Sequence, residues 1–382
     1  MFKMEYLSDI TNNLDNLRKP LNAQERELIR KYKTYPYCGA NGVLEYVDEF
    51  IFDEKILCIA EDGGEWGYNQ KCTYIMNEPC WVNNHAHVLT AKDKVSLEYL
   101  SIYLNFIDLN KFITGTTRGK LTKSALEMIQ IPLPSYTKQI EIVSLLQKVK
   151  DIIQKRESQI TALDELTQSL FLEMFGDPRA NDLNWEIGTI NDLTESTQYG
   201  SSQKASESEG KYPILRMNNI DYSGNWDFTS LKFIDLSEGE LEKYTVRPGD
   251  ILFNRTNSKE LVGKTAVFNE EETYAYAGYL IRLRVNERAN PEFVSNYLNS
   301  KYGKSILLNK AKSIVGMANI NAQELKTIPI YLPPKELQDE FGHKKRAILE
   351  KKKILLNAHK EMENLYNSLL QKAFKGELFQ EQ

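Results

Sequence analysis

Cysteine is scarce in this sequence of 382 residues, which has only four, all in the first quarter of the chain. A disulfide-stabilised secreted fold would spread more cysteines over a shorter chain, so we expect reduced thiols. Cys72 and Cys80 are followed by His85 and His87, but the spacing lacks the CxxC and HxxxH pairs of zinc sites. We therefore expect no bound metal.

Long apolar runs are also missing. No window approaches eighteen apolar residues, and the first residues, Met1–Tyr6, contain no apolar core of a signal peptide. The sequence thus predicts a cytoplasmic protein without a membrane anchor. Its 41% hydrophobic and 26% charged residues are typical of globular chains, and the length suits two or three domains.

An excess of positive charge is absent, because the formal net charge is −5. Proteins that bind DNA without sequence preference depend on neutralising phosphates, so this balance argues against a general polyanion binder. Any DNA binding must rely on local patches. A partner protein is then expected to supply part of the phosphate contacts.

Catalytic motifs are missing as well. Gly263-Lys-Thr265 resembles the end of a phosphate-binding loop, but Ser258 stands where the first glycine of GxxxxGK[ST] belongs. The sequence contains no GxSxG, no HExxH and no Asn-Pro-Pro-aromatic motif of adenine methylation. Glu61 and Asp62, beside two glycines, are expected to be exposed acids of a turn rather than an acid/base pair. We expect a chain without catalytic activity of its own.

An internal duplication is the main positive signal. Residues 121–175 align with residues 320–374 without a gap, at an offset of 199 residues. The identical pairs include Leu126/Leu325, Ile129/Ile328, Ile131/Ile330, Leu133/Leu332, Pro134/Pro333, Gln139/Gln338, Glu141/Glu340, Leu166/Leu365, Ser169/Ser368, Leu170/Leu369 and Phe175/Phe374. A weaker match joins 97–105 to 291–299. A period near 200 residues indicates a duplicated domain rather than a solenoid.

Each repeat ends in a long predicted helix, 136–176 and 334–382, that begins after a proline-marked strand end. Forty residues of helix measure roughly 60 Å. A heptad-like stripe in the first helix comprises Ile142, Leu146, Val149, Ile153, Arg156, Ile160, Leu163, Thr167, Leu170 and Met174. The corresponding stripe in the second helix comprises Phe341, Ile348, Leu355, Met362 and Leu369.

Two amphipathic helices of equal length most simply pack on each other, and the compact module between them allows an antiparallel pair. The alternative is that each helix is buried in its own domain. The lysine-rich segments 344–346 and 351–353 are expected on a solvated or partner-facing surface.

The remaining segments, 1–135 and 177–333, contain short strand patterns separated by Gly, Asn and Asp turns, and each closes with a helical pattern near 96–106 or 291–301. We therefore predict an α+β fold. It has two mixed α/β modules related by internal duplication and separated by two long antiparallel, coiled-coil-like helices.

Polar loops of both modules carry residue types that read base edges, since Arg pairs with guanine and Asn with adenine. The loops are 39–42, 83–87 and 116–120 in the first module and 199–204, 216–219 and 254–259 in the second. The candidate DNA-binding residues are Asn41, Asn83, Asn84, His85, His87, Arg118, Lys120, Lys204, Arg216, Asn218, Asn219, Arg255, Thr256, Asn257, Ser258 and Lys264. Arg118, Arg216 and Arg255 are the strongest. Alternatively, Asn and Gly in these loops simply form turns.

Several of these segments together resemble one known family. In the second module they are Gly-Asp-Ile-Leu-Phe-Asn-Arg-Thr-Asn-Ser at 249–258, the segment 260–268, and Tyr-Pro-Ile-Leu-Arg-Met-Asn-Asn-Ile at 212–220. In the first module they are 35–42, 46–52, 59–63 and Trp-Val-Asn-Asn-His-Ala-His-Val at 81–88. Over essentially its whole length the chain resembles the specificity subunit of a type I restriction–modification system.

This resemblance implies two target recognition domains, 1–135 and 177–333, each reading one half of a split double-stranded DNA site. The central helix 136–176 and the C-terminal helix 334–382 would space them. The helices would also dock two methyltransferase subunits, which methylate adenine with S-adenosylmethionine; this chain itself would bind no cofactor. The resemblance also allows a motor–nuclease subunit for restriction.

Two other functions are compatible with the sequence. A coiled-coil scaffold with two protein- or ligand-binding modules would share the duplication and the helices, but substitutions of its loop arginines would leave DNA binding unchanged. An autonomous enzyme would show turnover as a purified chain, which the missing motifs argue against.

Overall fold

A computed structural model describes residues 2–115, 118–258, 261–314 and 317–378. They form two compact units, one combining the residues up to Arg156 with those from Ala358 onward, the other formed by Glu157–Asn357. Each unit contains part of both long helices. The boundaries at 136, 177 and 334 that we inferred from the sequence separate the helices from the modules, and they remain a prediction.

The first unit contains the following strands and short helices: β1 (Lys3–Tyr6), α1 (Leu7–Ile10), β2 (Thr11–Asn13), α2 (Ala23–Leu28), β3 (Tyr35–Gly39), β4 (Gly42–Val47), β5 (Ile56–Ala60), β6 (Thr73–Met76), β7 (Trp81–Val82), β8 (Ala86–Ala91), α3 (Leu97–Phe106), β9 (Ile113–Thr114), β10 (Lys120–Leu121), α4 (Lys123–Glu127) and β11 (Gln130–Leu133). The long helix α5 (Tyr136–Phe175) follows and enters both units.

The second unit contains β12 (Ile187–Thr189), β13 (Thr194–Tyr199), β14 (Tyr212–Leu215), β15 (Lys232–Ile234), α6 (Glu238–Tyr244), β16 (Thr245–Val246), β17 (Ile251–Asn254), β18 (Thr256–Asn257), β19 (Thr265–Val267), β20 (Tyr274–Tyr276), β21 (Leu280–Val285), α7 (Pro291–Asn299), α8 (Lys301–Lys310), β22 (Lys312–Ile314), β23 (Met317–Asn319), α9 (Ala322–Lys326) and β24 (Pro329–Tyr331). The second long helix is α10 (Lys335–Lys375).

The sheets repeat from one unit to the other. The first unit has an antiparallel sheet in the order β2-β8-β5-β6, and the second has β13-β21-β17-β19. A second sheet contains a parallel pair in each unit, β3 with β7 and β14 with β20. The strand before each long helix also has an equivalent partner, β1 with β11 and β12 with β24. The duplication therefore covers the whole module, and the predicted α+β fold class is confirmed.

The central strands β5 and β17 explain where the core lies. Every residue of β5, Ile-Leu-Cys-Ile-Ala, is buried, as is every residue of β17, Ile-Leu-Phe-Asn. A continuous buried run is typical of a strand covered on both faces. Each central strand is thus a rigid support for the polar residue that follows it.

The four cysteines are buried and free. Burial raises the pKa of the Cys72 thiol to about 12 and also raises that of Cys58. A thiol held in its protonated form is a poor nucleophile and a poor metal ligand. Cys72 and Cys80 lie in separate core clusters, one beside α3 and the other beside β3.

Within the second unit the long helices run antiparallel. Near the end of α5, Phe171 lies 5.5 Å from the Phe341 ring, while earlier in α5 Asp164 pairs with Lys352, which lies later in α10. Within the first unit, Ile142 of α5 shares a core cluster with Leu370 of α10.

The stripe we identified in the sequence is the least exposed line of α5. Among the residues predicted to pack between the helices, the buried ones are Ile142, Leu146, Val149 and Phe341. Those of intermediate exposure are Ile153, Leu163, Leu170, Ile348, Leu355, Met362 and Leu369. The start of each stripe is therefore better buried than the rest of it.

We predicted a solvated or partner-facing surface for both lysine-rich segments of α10, but two of their lysines are paired within the chain. The Nζ atom of Lys352 lies 2.7 Å from Asp164 Oδ2, and only 9% of the residue is exposed. Lys345 is paired with Glu292 at 3.0 Å. Both lysines lie on a heptad line of α10, where a charged side chain must find a partner.

Among the helices in the described part of the chain, none combines the length and apolar character that a membrane crossing requires.

Candidate nucleic-acid interface

The residue after the central strand of the first module is Glu61, and two backbone hydrogen bonds fix it. Its amide donates to the His85 carbonyl at 2.9 Å, and its carbonyl accepts from the Leu121 amide at 2.8 Å. These bonds join the end of β5 to the segment before β8 and to β10. The backbone at Glu61 is therefore held on both sides.

The Glu61 side chain is buried in an ion-pair network, not exposed as the sequence suggested. Its Oε2 lies 2.6 Å from Arg18 Nη1, and its Oε1 lies 2.8 Å from Lys120 Nζ. Burial alone would raise the pKa of Glu61, but the hydrogen bonds from Lys120 and Arg18 outweigh it and hold the pKa below its usual value. Glu61 is thus an ionised anchor for two cations.

Asp62 also pairs with basic side chains of the first module. Its Oδ1 accepts from Arg118 Nη2 at 2.7 Å and lies 2.9 Å from His85 Nδ1. The Arg118 side chain is 64% exposed and that of Lys120 is 49% exposed. Each cation is therefore tethered by a carboxylate while much of its surface faces solvent, an arrangement that reduces the entropy lost on binding.

His87 was predicted to bind DNA, and the structure corrects this. The residue is 1% exposed, with Nδ1 2.6 Å from Asp15 Oδ2 and Nε2 2.7 Å from the Leu121 carbonyl. A side chain enclosed by internal partners cannot reach a base. His87 instead fixes the segment that carries Arg118 and Lys120.

Asp15, Glu61 and His87 place oxygen and nitrogen atoms within 4.8 Å of one another, which is a metal-binding type of cluster among the described residues. Arg18 donates to Glu61 and lies 3.4 Å from Asp15 Oδ2. Because the guanidinium already neutralises both carboxylates, the donor set fits an ion-pair network better than a metal site.

Three asparagines of the first module differ in exposure. Asn41 and Asn84 are exposed, and Asn41 donates to the Gly63 carbonyl at 3.2 Å. Asn83 is 4% exposed, and its side-chain oxygen accepts from the His85 amide at 2.8 Å. Asn83 therefore shapes the turn rather than facing a ligand, which corrects its assignment, while Asn41 and Asn84 remain predicted DNA contacts.

Arg255 occupies in the second module the position that Glu61 occupies in the first. Its amide donates to the Tyr279 carbonyl at 3.0 Å, and its carbonyl accepts from the Ile320 amide at 2.9 Å. Ile320 aligns with Leu121 at the offset of 199 residues. The two backbone bonds are thus the same, and only the side chains differ.

The Arg255 side chain is half-buried. Its guanidinium lies 4.8 Å from the centre of the Tyr199 ring, and Nη2 lies 3.5 Å from Asn319 Oδ1. Its Nε is buried and has no hydrogen-bond partner among the described residues. The guanidinium is therefore held between an aromatic ring and an amide oxygen, and its Nε is not accessible to a ligand.

Lys264 was predicted to bind DNA but is 6% exposed. Its ammonium donates to the carbonyls of Met217, at 2.8 Å, and Ile220. The buried ammonium therefore stabilises the turn 217–219 by binding carbonyls at its two ends, which is a positioning role. The loop beside residue 254 and the loop at 216–220 are joined through this one side chain.

Three residues predicted to bind DNA lie in or beside the turn 217–219. Asn219 is 1% exposed and donates to the Asp227 carbonyl at 2.8 Å, so it is structural, contrary to prediction. Arg216 is half-buried and donates to the Ser230 carbonyl at 2.8 Å. Asn218 is exposed and remains a predicted contact.

The other residues of the second module that were predicted to bind DNA are also partly buried and partly exposed ones. Thr256 is 7% exposed within β18, so its assignment to DNA contact is corrected. Asn257 and Ser258 are partly exposed and Lys204 is exposed, and all three remain predictions. Of the predicted loops, Thr116, Thr117 and Lys259 lie outside the described residues.

Sequence reasoning missed three residues: Glu61, Asn319 and Lys304. Asn319 could have been found, because it aligns with Lys120 at the offset of the duplication. Lys304 Nζ lies 4.9 Å from the Tyr222 ring centre and donates to the Gly263 carbonyl at 3.5 Å. Burial, followed by repulsion from Lys264, lowers the pKa of Lys304 to about 8.

Two copies of one α+β module, each with a polar site at the end of its central strand, define a duplicated recognition protein. The family model of the type I restriction modification DNA specificity domain matches residues 6–162 and again 182–344. The chain belongs to this family. It is thus a specificity subunit, a recognition component and not a catalytic one.

Individual relatives agree with this membership. A type I restriction enzyme specificity subunit of Haemophilus influenzae is 27% identical over 92% of this chain and 88% of its own length. The EcoKI specificity subunit of Escherichia coli is 26% identical over 73% of this chain and 63% of its own. The crystal structure of a type I S subunit from M. genitalium shares the fold, with 16% identity, a TM-score of 0.65, and coverage of 98% and 96%.

Proposed function

We propose that this chain recognises a bipartite double-stranded DNA site, with each module reading one half. The observation that carries the proposal is the shared site after the central strands, where identical backbone bonds at Glu61 and Arg255 support different polar side chains. Two modules of one architecture with different polar residues would bind DNA in similar poses and select different bases.

The first module supports this proposal through its cations. Arg118 and Lys120 project from carboxylate anchors, and Asn41 and Asn84 are exposed within the same module. Arginine forms paired hydrogen bonds with guanine and asparagine with adenine in the major groove. Such a set suits base reading better than general attraction to phosphate.

The partners we propose are two methyltransferase subunits, docked on the long helices, which would bind S-adenosylmethionine and methylate adenine. The net charge of −5 supports a need for partners, because a chain of this charge gains little from phosphate neutralisation alone. A motor–nuclease subunit would be a further partner for restriction.

The test is co-expression of the chain with the methyltransferase subunit that co-purifies with it, in a host without other adenine methylation. Sequencing that detects N6-methyladenine would then map the methylated sites. We expect one split motif that disappears when this chain is omitted. Methylation that is independent of the chain, or methylation without a defined motif, would contradict the proposal.

A module exchange tests the division of labour. Replacing residues 177–333 with the corresponding module of a relative should change one half of the motif and leave the other half intact. An exchange of the residues 1–135 should do the reverse and serves as the matched control. A motif unchanged in both halves would argue instead for a scaffold whose modules bind something other than DNA.

A further inference from the structure

The two modules place residues of opposite charge at one backbone position. Glu61 and Arg255 each follow the central strand and make the same two backbone hydrogen bonds. In the partner segment, Lys120 of β10 aligns with Asn319 of β23 at the offset of 199 residues. The strand pairing is also the same in the two modules. Asp62, which follows Glu61, forms a β-bridge with Lys120, and Thr256, which follows Arg255, pairs with Asn319.

The side chains complete the equivalence. In the first module Lys120 Nζ lies 2.8 Å from Glu61 Oε1, and in the second Arg255 Nη2 lies 3.5 Å from Asn319 Oδ1. A carboxylate with an ammonium has thus been replaced by a guanidinium with an amide. The residue after the central strand is an acceptor, Glu61, in the first module and a donor, Arg255, in the second. The backbone hydrogen bonds at the two positions are the same.

We infer that Glu61–Lys120 and Arg255–Asn319 are equivalent specificity-determining pairs, which make the two modules select different bases at the same position of their half-sites. This inference rests on the proposed function. Glu61 is saturated by Arg18 and Lys120, so the group that faces outward in the first module is the Lys120 ammonium.

The bases that each pair prefers follow from hydrogen-bonding capacity. The Lys120 ammonium offers donors only and suits the O6 and N7 acceptors of guanine. Asn319 offers both a donor and an acceptor and suits the N6 and N7 edge of adenine. Arg255 positions that amide, because its Nη2 lies 3.5 Å from Asn319 Oδ1.

The experiment exchanges the two aligned residues, Lys120 and Asn319. Lys120→Asn and Asn319→Lys would be prepared in the full chain, purified with the methyltransferase subunit, and tested by mapping N6-methyladenine and by selection from a random duplex library. Matched controls are Lys71→Asn and Asn191→Lys, at exposed positions of the same two modules. Lys120→Gln and Asn319→Asp repeat the test with side chains of similar size.

We expect each variant to change one base position in one half-site, with the other half and the spacer unchanged. Methylation of the wild-type site should fall about tenfold or more, because a good base contact discriminates by about one to two powers of ten. The controls should keep the wild-type motif.

An unchanged motif in both variants would overturn the inference and leave the proposed function intact. Loss of all sequence selection by a complex that still assembles and melts as the wild type does would also overturn it, because it would indicate a general phosphate contact. Failure of the proposed function would look different, since the wild-type complex itself would then give no split motif.

Discussion

Gln139 and Gln338 are fully buried at equivalent positions and make the same hydrogen bonds. The side-chain oxygen of Gln139 accepts from the Ser96 amide and that of Gln338 from the Asn290 amide, each at 2.9 Å. Each glutamine also donates to the carbonyl of the proline five residues earlier. Because Ser96 and Asn290 cap the module helices α3 and α7, each glutamine fastens a module to its long helix.

We expect Gln139→Leu to lower the free energy of unfolding of its unit by about 1–3 kcal/mol, because the buried Ser96 amide loses its acceptor. Urea denaturation followed by circular dichroism would measure the change. Gln147→Leu is the control, since Gln147 is exposed on the same helix and its side chain donates to Asp151, one turn further along. Equal effects of the two substitutions would contradict this account.

The Asp164–Lys352 pair links the two long helices within the second unit. Removing Lys352 leaves the partly exposed Asp164 carboxylate without this ammonium, and removing Asp164 leaves a buried ammonium without this carboxylate. A double-mutant cycle with Asp164→Asn and Lys352→Met should therefore give a coupling energy of about 1–2 kcal/mol.

The control for this cycle is Lys351→Met, at the exposed neighbouring position. A coupling energy indistinguishable from that of Asp164 with Lys351 would show that the pair contributes nothing beyond an ordinary surface contact.

Acid should destabilise the first module through Asp15 and Glu61. Burial raises the pKa of Asp15, but the hydrogen bond and charge of His87 outweigh it, so its pKa lies below 3.8, and that of Glu61 lies below 4.5. For a carboxyl with a lowered pKa, the stabilisation is present above the ordinary pKa and is lost as the pH falls through the lowered one.

We therefore expect Asp15→Asn to flatten the loss of stability below about pH 4, as measured by thermal unfolding at successive pH values. Asp93→Asn, at an exposed position of the same module, should leave the wild-type profile unchanged. A profile of Asp15→Asn identical to that of the wild type would contradict the network.

Lys304 should make the stability of the second module depend on pH in the alkaline range. Burial, together with repulsion from Lys264, lowers its pKa to about 8, while Asp221 opposes the shift. The unfolded chain keeps the proton up to about 10.5, so it binds more protons than the folded chain between these values. The Lys304 contribution to stability therefore rises from about pH 8 to 10.5.

Lys304→Met should remove this rise, which thermal unfolding of variant and wild type across the same pH range would detect. Reductive methylation with carbon-13 label would report the titration of the lysine directly by NMR. Lys301, exposed at the start of the same helix, is the matched control. Equal titration of the two lysines would contradict the shift.

The helices and central strands could be predicted because their signals are local. The proline-marked starts and the heptad stripe predicted helices at 136–176 and from 334, and the structure has Tyr136–Phe175 and Lys335–Lys375. Short strand patterns were predicted in both modules, and Ile56–Ala60 forms one such strand, β5. Periodic burial places apolar residues at a regular spacing within one segment, so the element can be recognised from that segment alone.

The site was predicted less well. Arg118 and Lys120 are exposed, whereas His87, Asn219 and Lys264 are buried. Loop composition cannot distinguish the two sets, because a polar residue in a loop is as useful for internal hydrogen bonds as for binding. Neither could it reveal Glu61, whose partners are distant in the sequence.

The sequence by itself determined the duplication, the α+β class and the two long helices. Each follows from residues that recur at a constant offset or from the spacing of apolar residues. The tertiary structure alone decided which polar side chains are available. Arg18, Glu61 and Lys120 are far apart in the chain and meet only when β10 is placed beside the end of β5. Exposure depends on such long-range pairing, so the equivalence of Glu61 with Arg255 appears only in the folded modules.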